Sequence, residues 1–196
     1  MIFLFKILRN VIFNFIFFIS LLSAPAHADN IAVQQVALEA GNNNGWTLDA
    51  NFNFILSAEL HDALLKGVPL YFKTEFSLTM PRWYWFDNEL IALSRIYRLS
   101  YQPLTQQYRI SFGGLQAGFS SLNDALSIIR RVTGWPVIER KQIKSGETYI
   151  ASVRMQLDTS KMPKPFQVNA VNNRSWNLTS DWLRFNFTPP VYAESS

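Results

Sequence analysis

Between Pro81 and Phe112 the chain alternates large and polar residues in two runs, Leu93 to Tyr101 and Gln106 to Phe112, around the short segment Gln102-Pro103-Leu104-Thr105. Alternation on both sides of a proline-containing turn is the pattern of an antiparallel hairpin. It demands extended backbone and so limits what the rest of the chain can pack against. A two-residue turn with Pro103 and Leu104 at its corners sets Gln102 opposite Thr105. Tyr101 then faces Gln106, Leu99 faces Tyr108, Tyr97 faces Ile110 and, on the other face, Arg98 lies opposite Arg109. Like charges directly across a ladder are destabilising. The pair therefore calls for a compensating acid or a partner.

The first 28 residues follow a different logic. Lys6 and Arg9 precede a twelve-residue apolar run from Val11 to Leu22, and Ala26-His27-Ala28 fits the small-x-small pattern of a cleavage point. The run is short for a membrane span. The expectation is a cleaved signal peptide, with no stable membrane anchor afterwards, and a periplasmic location. Removing 28 of the 196 residues leaves 168 and takes Lys6 and Arg9 away, so 16 basic residues stand against 14 acidic ones. A net charge of +2 does not ask for nucleic acid. With no cysteine, an exported chain must be held by packing alone. Six Trp, seven Tyr and the ten Phe beyond the leader supply the surface for it.

The remaining pattern predicts an α+β fold, mainly antiparallel β in sandwich-like sheets, with two short helices. Strands are expected at 29–40, at Trp46 to Phe54 with its even-numbered residues buried, at Leu70 to Leu78, around Trp83 to Phe86, at Tyr149 to Leu157 and at Trp182 to Phe187. One helix is expected from a Ser57 cap to Lys66, closed by Gly67 and Pro69. A second should run from a Ser121 cap to about Val132 and end at Gly134, with Arg130 and Arg131 complementing the helix dipole. Trp135-Pro136 is expected to open an irregular segment, and Met162-Pro163-Lys164-Pro165-Phe166 an extended, non-helical connection. No linker splits the chain, which predicts one domain over 29–188 and a flexible tail at 189–196.

Catalytic templates fit poorly. His61 is the one imidazole beyond the leader, and its neighbour Asp62 cannot face it along a helix. No thiol, phosphate loop or dinucleotide fingerprint is present, and no cofactor is expected. Asp87 and Glu89 sit two apart near the tryptophans, a spacing compatible with a carboxylate pair, but an ordinary acidic turn has the same look. The chain therefore reads as a non-enzymatic binding protein. Its candidate surface is Arg82, Trp83, Trp85, Arg95, Arg98, Tyr101 and Arg109, since arginine and aromatic residues dominate interface hot spots. The bland alternative is that Asp49, Glu75 or Asp158 on adjacent strands neutralises Arg98 and Arg109. A second functional reading is an envelope saccharide-binding or saccharide-cleaving protein that uses Trp83, Trp85 and a carboxylate.

Several blocks carry a resemblance. Leu48-Asp49-Ala50, Gly67-Val68-Pro69-Leu70-Tyr71-Phe72, Arg82-Trp83-Tyr84-Trp85 and Tyr97-Arg98-Leu99-Ser100-Tyr101 are the first of them. Leu104-Thr105, Tyr108-Arg109, Leu157-Asp158 and Pro163-Lys164-Pro165-Phe166-Gln167 complete the set. Together they resemble the signal-peptide-bearing proteobacterial domain-of-unknown-function family 4390, over nearly all of the chain beyond the leader. Met162 stands where leucine is expected, a minor departure. The resemblance implies no activity and no catalytic residues. It implies genes placed beside a membrane sensor histidine kinase of the nitrogen-regulation type, and hence an envelope or inner-membrane partner.

Overall fold

The computed structural model describes residues 31–41, 45–81 and 88–191. Among the described residues nine strands form two antiparallel sheets. The smaller has the order β1 (Ala32–Ala40), β2 (Gly45–Asn53), β7 (Arg131–Glu139). The larger runs β6 (Leu115–Phe119), β5 (Gln107–Phe112), β4 (Asn88–Gln102), β3 (Leu70–Met80), β8 (Tyr149–Leu157), β9 (Leu183–Phe187). The fold is α+β with sandwich-like sheets. Strict alternation explains why they close on one another. Trp46, Leu48, Ala50 and Phe52 are buried on β2, as are Leu70, Phe72, Phe76 and Leu78 on β3 and Tyr149, Ala151, Val153 and Met155 on β8. Each of the larger aliphatic and Phe side chains among these contributes about 1.5–3 kcal/mol by leaving water. Rings join the layers: Phe54 stacks on Phe72 at 5.2 Å and Trp46 meets the edge of Phe187 at 5.6 Å.

Helix α1 (Ala58–Leu65) starts where Ser57 Oγ accepts from Leu60 N at 3.2 Å, and buries Leu60, Ala63 and Leu64. Past its C-terminus Gly67 takes a φ of 85°, which its lack of a Cβ permits. Helix α2 (Leu122–Arg130) is capped by Ser121, whose Oγ accepts from Asp124 N, and buries Ala125, Leu126 and Ile129. It ends earlier than its sequence suggests, and the next residue already belongs to β7. Val132 and Thr133 are β-branched and favour extended backbone, and Val132 is fully buried opposite Ala50. Gly134 is therefore a strand irregularity with φ 57°, not a helix terminator, and its N–H donates to Asp49 Oδ1 at 2.6 Å. Trp135-Pro136 also lies within β7, between two register shifts in its pairing with β2; β7 is an edge, where bulges and a missing N–H are tolerated.

A third helix, α3 (Lys164–Asn172), replaces the expected extended connection. Pro163 sits at its N-cap and Pro165 in its first turn, where the absent N–H has no helical partner to lose. The proline pattern marks a helix start, and Phe166 stacks on Trp176 at 6.0 Å.

The hairpin register also differs from expectation. The β4–β5 loop holds four residues, Pro103 to Gln106, with Gln106 at φ 51°. Pairing runs Gln102–Gln107, Tyr101–Tyr108, Ser100–Arg109, Leu99–Ile110 and Arg98–Ser111. This register sets two fully buried residues, Leu99 and Ile110, against each other and brings the Tyr101 and Tyr108 rings to 4.9 Å. Slipping by two residues preserves which face each side chain takes. Arg98 and Arg109 are thus diagonal neighbours on one face, not directly opposed.

Candidate functional site

The candidate arginines divide between the two faces of β4. Arg98 and Arg109 lie on the outer face of the larger sheet, Arg98 between Tyr71 and Ser111, Arg109 between Ser100 and Gly118. Arg95 lies on the inner face, paired with the buried Thr74. Tyr101 also takes the inner side, ring against Tyr108, whose hydroxyl pKa is pushed up by burial and then by Tyr101. Arg82, Trp83 and Trp85 lie outside the described residues, as does Asp87.

The acids that might have neutralised the outer arginines are engaged elsewhere. Glu75 accepts from Lys73 Nζ at 2.6 Å through Oε1, and through Oε2 from Arg154 Nε at 2.6 Å and Gln156 Nε2 at 3.0 Å. Burial alone would raise the Glu75 pKa, but the hydrogen bonds and charges of Lys73 and Arg154 hold it below the ordinary glutamate value. Arg154 in turn lies 4.5 Å from the Trp182 ring centroid. Asp49 caps the Gly134 N–H, and Asp158 accepts from the N–H and hydroxyl of Ser160. Among the described residues Arg98 and Arg109 form no ion pair.

Arg95 enters a different environment. Its guanidinium lies 5.0 Å from the Trp135 ring centroid, spanning from the larger sheet to β7. There it lines a solvent-open cleft of about 720 Å³ together with Arg130, Arg131, Tyr97, Phe112 and Asn51. Arg130 is the last residue of α2. Its Nη2 donates to the Phe54 carbonyl at 2.6 Å and its guanidinium lies 5.3 Å from the Phe54 ring, while Nε is buried with no partner. Burial pushes its pKa down from the usual arginine range; an arginine so placed stays charged. Arg131 opens β7 and is exposed. Sequence reasoning assigned Arg130 and Arg131 to the helix dipole and missed the cleft. The available signal was Val132-Thr133 directly behind them, which moves Arg131 out of the helix and onto a strand.

Other features hold less chemistry. A groove of about 860 Å³ along β2 and β7 is rimmed by Glu139 and Lys141, which pair with each other at 2.7 Å. His61 Nε2 is buried without a partner on α1. Among the described residues no group of three or more His, Cys, Asp or Glu is placed to hold a metal ion, and no helix is long and apolar enough to cross a membrane.

A family model described as a domain of unknown function, DUF4390, matches residues 28–186. No curated protein and no solved structure matches the chain.

Proposed function

Since the chain belongs to the DUF4390 family, for which no activity is described, we propose from its own residues that it is an exported, non-enzymatic binding protein. Its outer β4–β5 face engages an envelope partner, the outward part of an inner-membrane sensor kinase. One observation carries this reading. Arg98 and Arg109 share a sheet face without a carboxylate partner among the described residues, while Glu75, Asp49 and Asp158 are committed to other groups. Two unpaired guanidinium groups contribute nothing to folding that neutral side chains would not. Arginine at this density beside tyrosine suits a protein interface. The leader-like first 28 residues support export, and the genes implied by the family resemblance support the kinase as partner.

The test is affinity capture from detergent-solubilised native envelope, read by mass spectrometry. The expected result is recovery of a membrane kinase by the wild type and its loss with the Arg98→Ser/Arg109→Ser variant, at unchanged melting temperature. Equal recovery by both proteins refutes the assigned face.

A further inference from the structure

The cleft at the sandwich edge gathers three arginines and, among the described residues, no acidic group. The Arg95 guanidinium lies 5.0 Å from the Trp135 ring centroid and makes no hydrogen bond or ion pair with a described residue. Arg130 commits Nη2 to the Phe54 carbonyl and leaves Nε buried without a partner. Arg131 makes no ion pair with a described residue. Among the described residues no Asp or Glu lines the cleft. Three guanidinium groups around one space repel one another, and the repulsion is strongest where water is partly excluded. The contacts of Arg95 with Trp135 and of Arg130 with Phe54 do not offset that repulsion with an opposite charge.

The walls are suited to an occupant. Phe112 stands at the wall against the buried Phe52 and Tyr97, with the Tyr97 and Phe112 rings 5.1 Å apart, and Asn51, Ser127 and Thr133 add neutral polar groups. A cleft of about 720 Å³ lies within the range of small-molecule sites. It is larger than a bare monoanion fills. Guanidinium forks match carboxylate and phosphate oxygens two at a time.

We propose that this cleft binds a compact organic polyanion, bearing two or more carboxylate or phosphate groups on a small body, between Arg95, Arg130 and Arg131. The site is on the opposite face of β4 from Arg98 and Arg109 and is independent of the partner surface proposed above. Binding draws Arg95 toward the ligand and away from the Trp135 ring, so occupancy has an optical signature as well as a calorimetric one.

The probes are citrate and pyrophosphate, titrated calorimetrically into the purified protein at ionic strength matched with sodium chloride. Saturable binding of either supports the site. Preference for citrate identifies a carboxylate ligand, and preference for pyrophosphate a phosphorylated one. Arg131 is exposed, so Arg131→Gln is expected to melt like the wild type and to bind about tenfold more weakly. Arg95→Gln should weaken binding similarly and abolish the ligand-induced change in tryptophan emission. Arg98→Ser/Arg109→Ser should bind both probes like the wild type, which separates this site from the hairpin face. Absence of saturable binding to the natively folded protein overturns the proposal. So does unchanged affinity in Arg131→Gln and Arg95→Gln.

Discussion

Replacing Glu75 with glutamine tests whether the charged ladder on the outer face is held together electrostatically. Glutamine preserves shape but keeps only one acceptor oxygen, sets an NH2 donor against a donor at the other position, and removes the negative charge between Lys73 and Arg154. Hydrogen bonds to charged groups contribute about 1.5–3 kcal/mol and neutral ones about 0.5–1.5, so one of the two 2.6 Å contacts loses about 2 kcal/mol outright and the other about 1 kcal/mol. The side chains of Lys73 and Arg154 are 27% and 29% exposed, which screens the remaining repulsion between them. The total is about 3 kcal/mol, or about 6–12 °C in Tm for a chain of this size. The pH dependence has a definite sign. Because the folded pKa of Glu75 lies below 4.5, its contribution is fully present above the unfolded value and is lost as pH falls through the folded one. Thermal melts of both proteins between neutral and acidic pH should show the full gap at neutrality and a narrowing gap in acid. A Tm difference that persists undiminished in acid, or is absent at neutral pH, refutes the argument.

Gly45 stands where an added Cβ would lie 2.3 Å from the Ile138 carbonyl oxygen. Gly45→Ala must therefore part β2 from β7, with an expected loss of about 1–3 kcal/mol by chemical denaturation. Ser57 Oγ both accepts from Leu60 N and donates to the Ser175 carbonyl at 2.9 Å. Ser57→Ala should cost about 1–2 kcal/mol and speed amide exchange in α1 and around Ser175 together. Leu48→Ala empties a fully buried site between the sheets and should lower stability by about 2–5 kcal/mol in urea melts without changing far-ultraviolet circular dichroism. Tyr149→Phe removes the hydroxyl that accepts from Lys144 N at 2.8 Å; the unpaired amide should cost about 1–2 kcal/mol and exchange faster.

Alternation of period two is a local property, so the strands that follow it were legible: the even-numbered residues of β2 and the odd-numbered residues of β8 are buried as their pattern predicts. Both serine caps were legible for the same reason, since a cap bonds only three residues ahead. What escaped depends on distant partners or on a loop's backbone. β7 looks irregular by itself, and becomes a strand because β2 offers it an edge. Pro163 and Pro165 exclude a helix interior but admit a helix start, an ambiguity that single residues do not resolve. The hairpin register hinges on Gln106 accepting a positive φ, which nothing in its side chain announces. The arginine cleft was the least legible, because Arg95 and Arg130 come together only when the sheet edge, the helix end and β7 do. The outer arginines were found through their spacing, and the fate of Glu75 could be read only in three dimensions.

The direct passage from α2 into β7 restricts how this chain can vary in length. Arg130 ends the helix and Arg131 begins the strand, with no spacer between them. An extra residue in a loop is absorbed by slack, and the four-residue turn at Pro103 to Gln106 has room for it. An insertion at the Arg130–Arg131 bond has nowhere to go except into the strand. It would turn Val132 and Trp135 toward solvent and bring Arg131 and Gly134 to the core side. Natural variants of this chain should therefore carry insertions and deletions at the hairpin tip and none at this bond. The same consideration marks the hairpin tip, and not the helix–strand junction, as the place for an inserted tag or reporter.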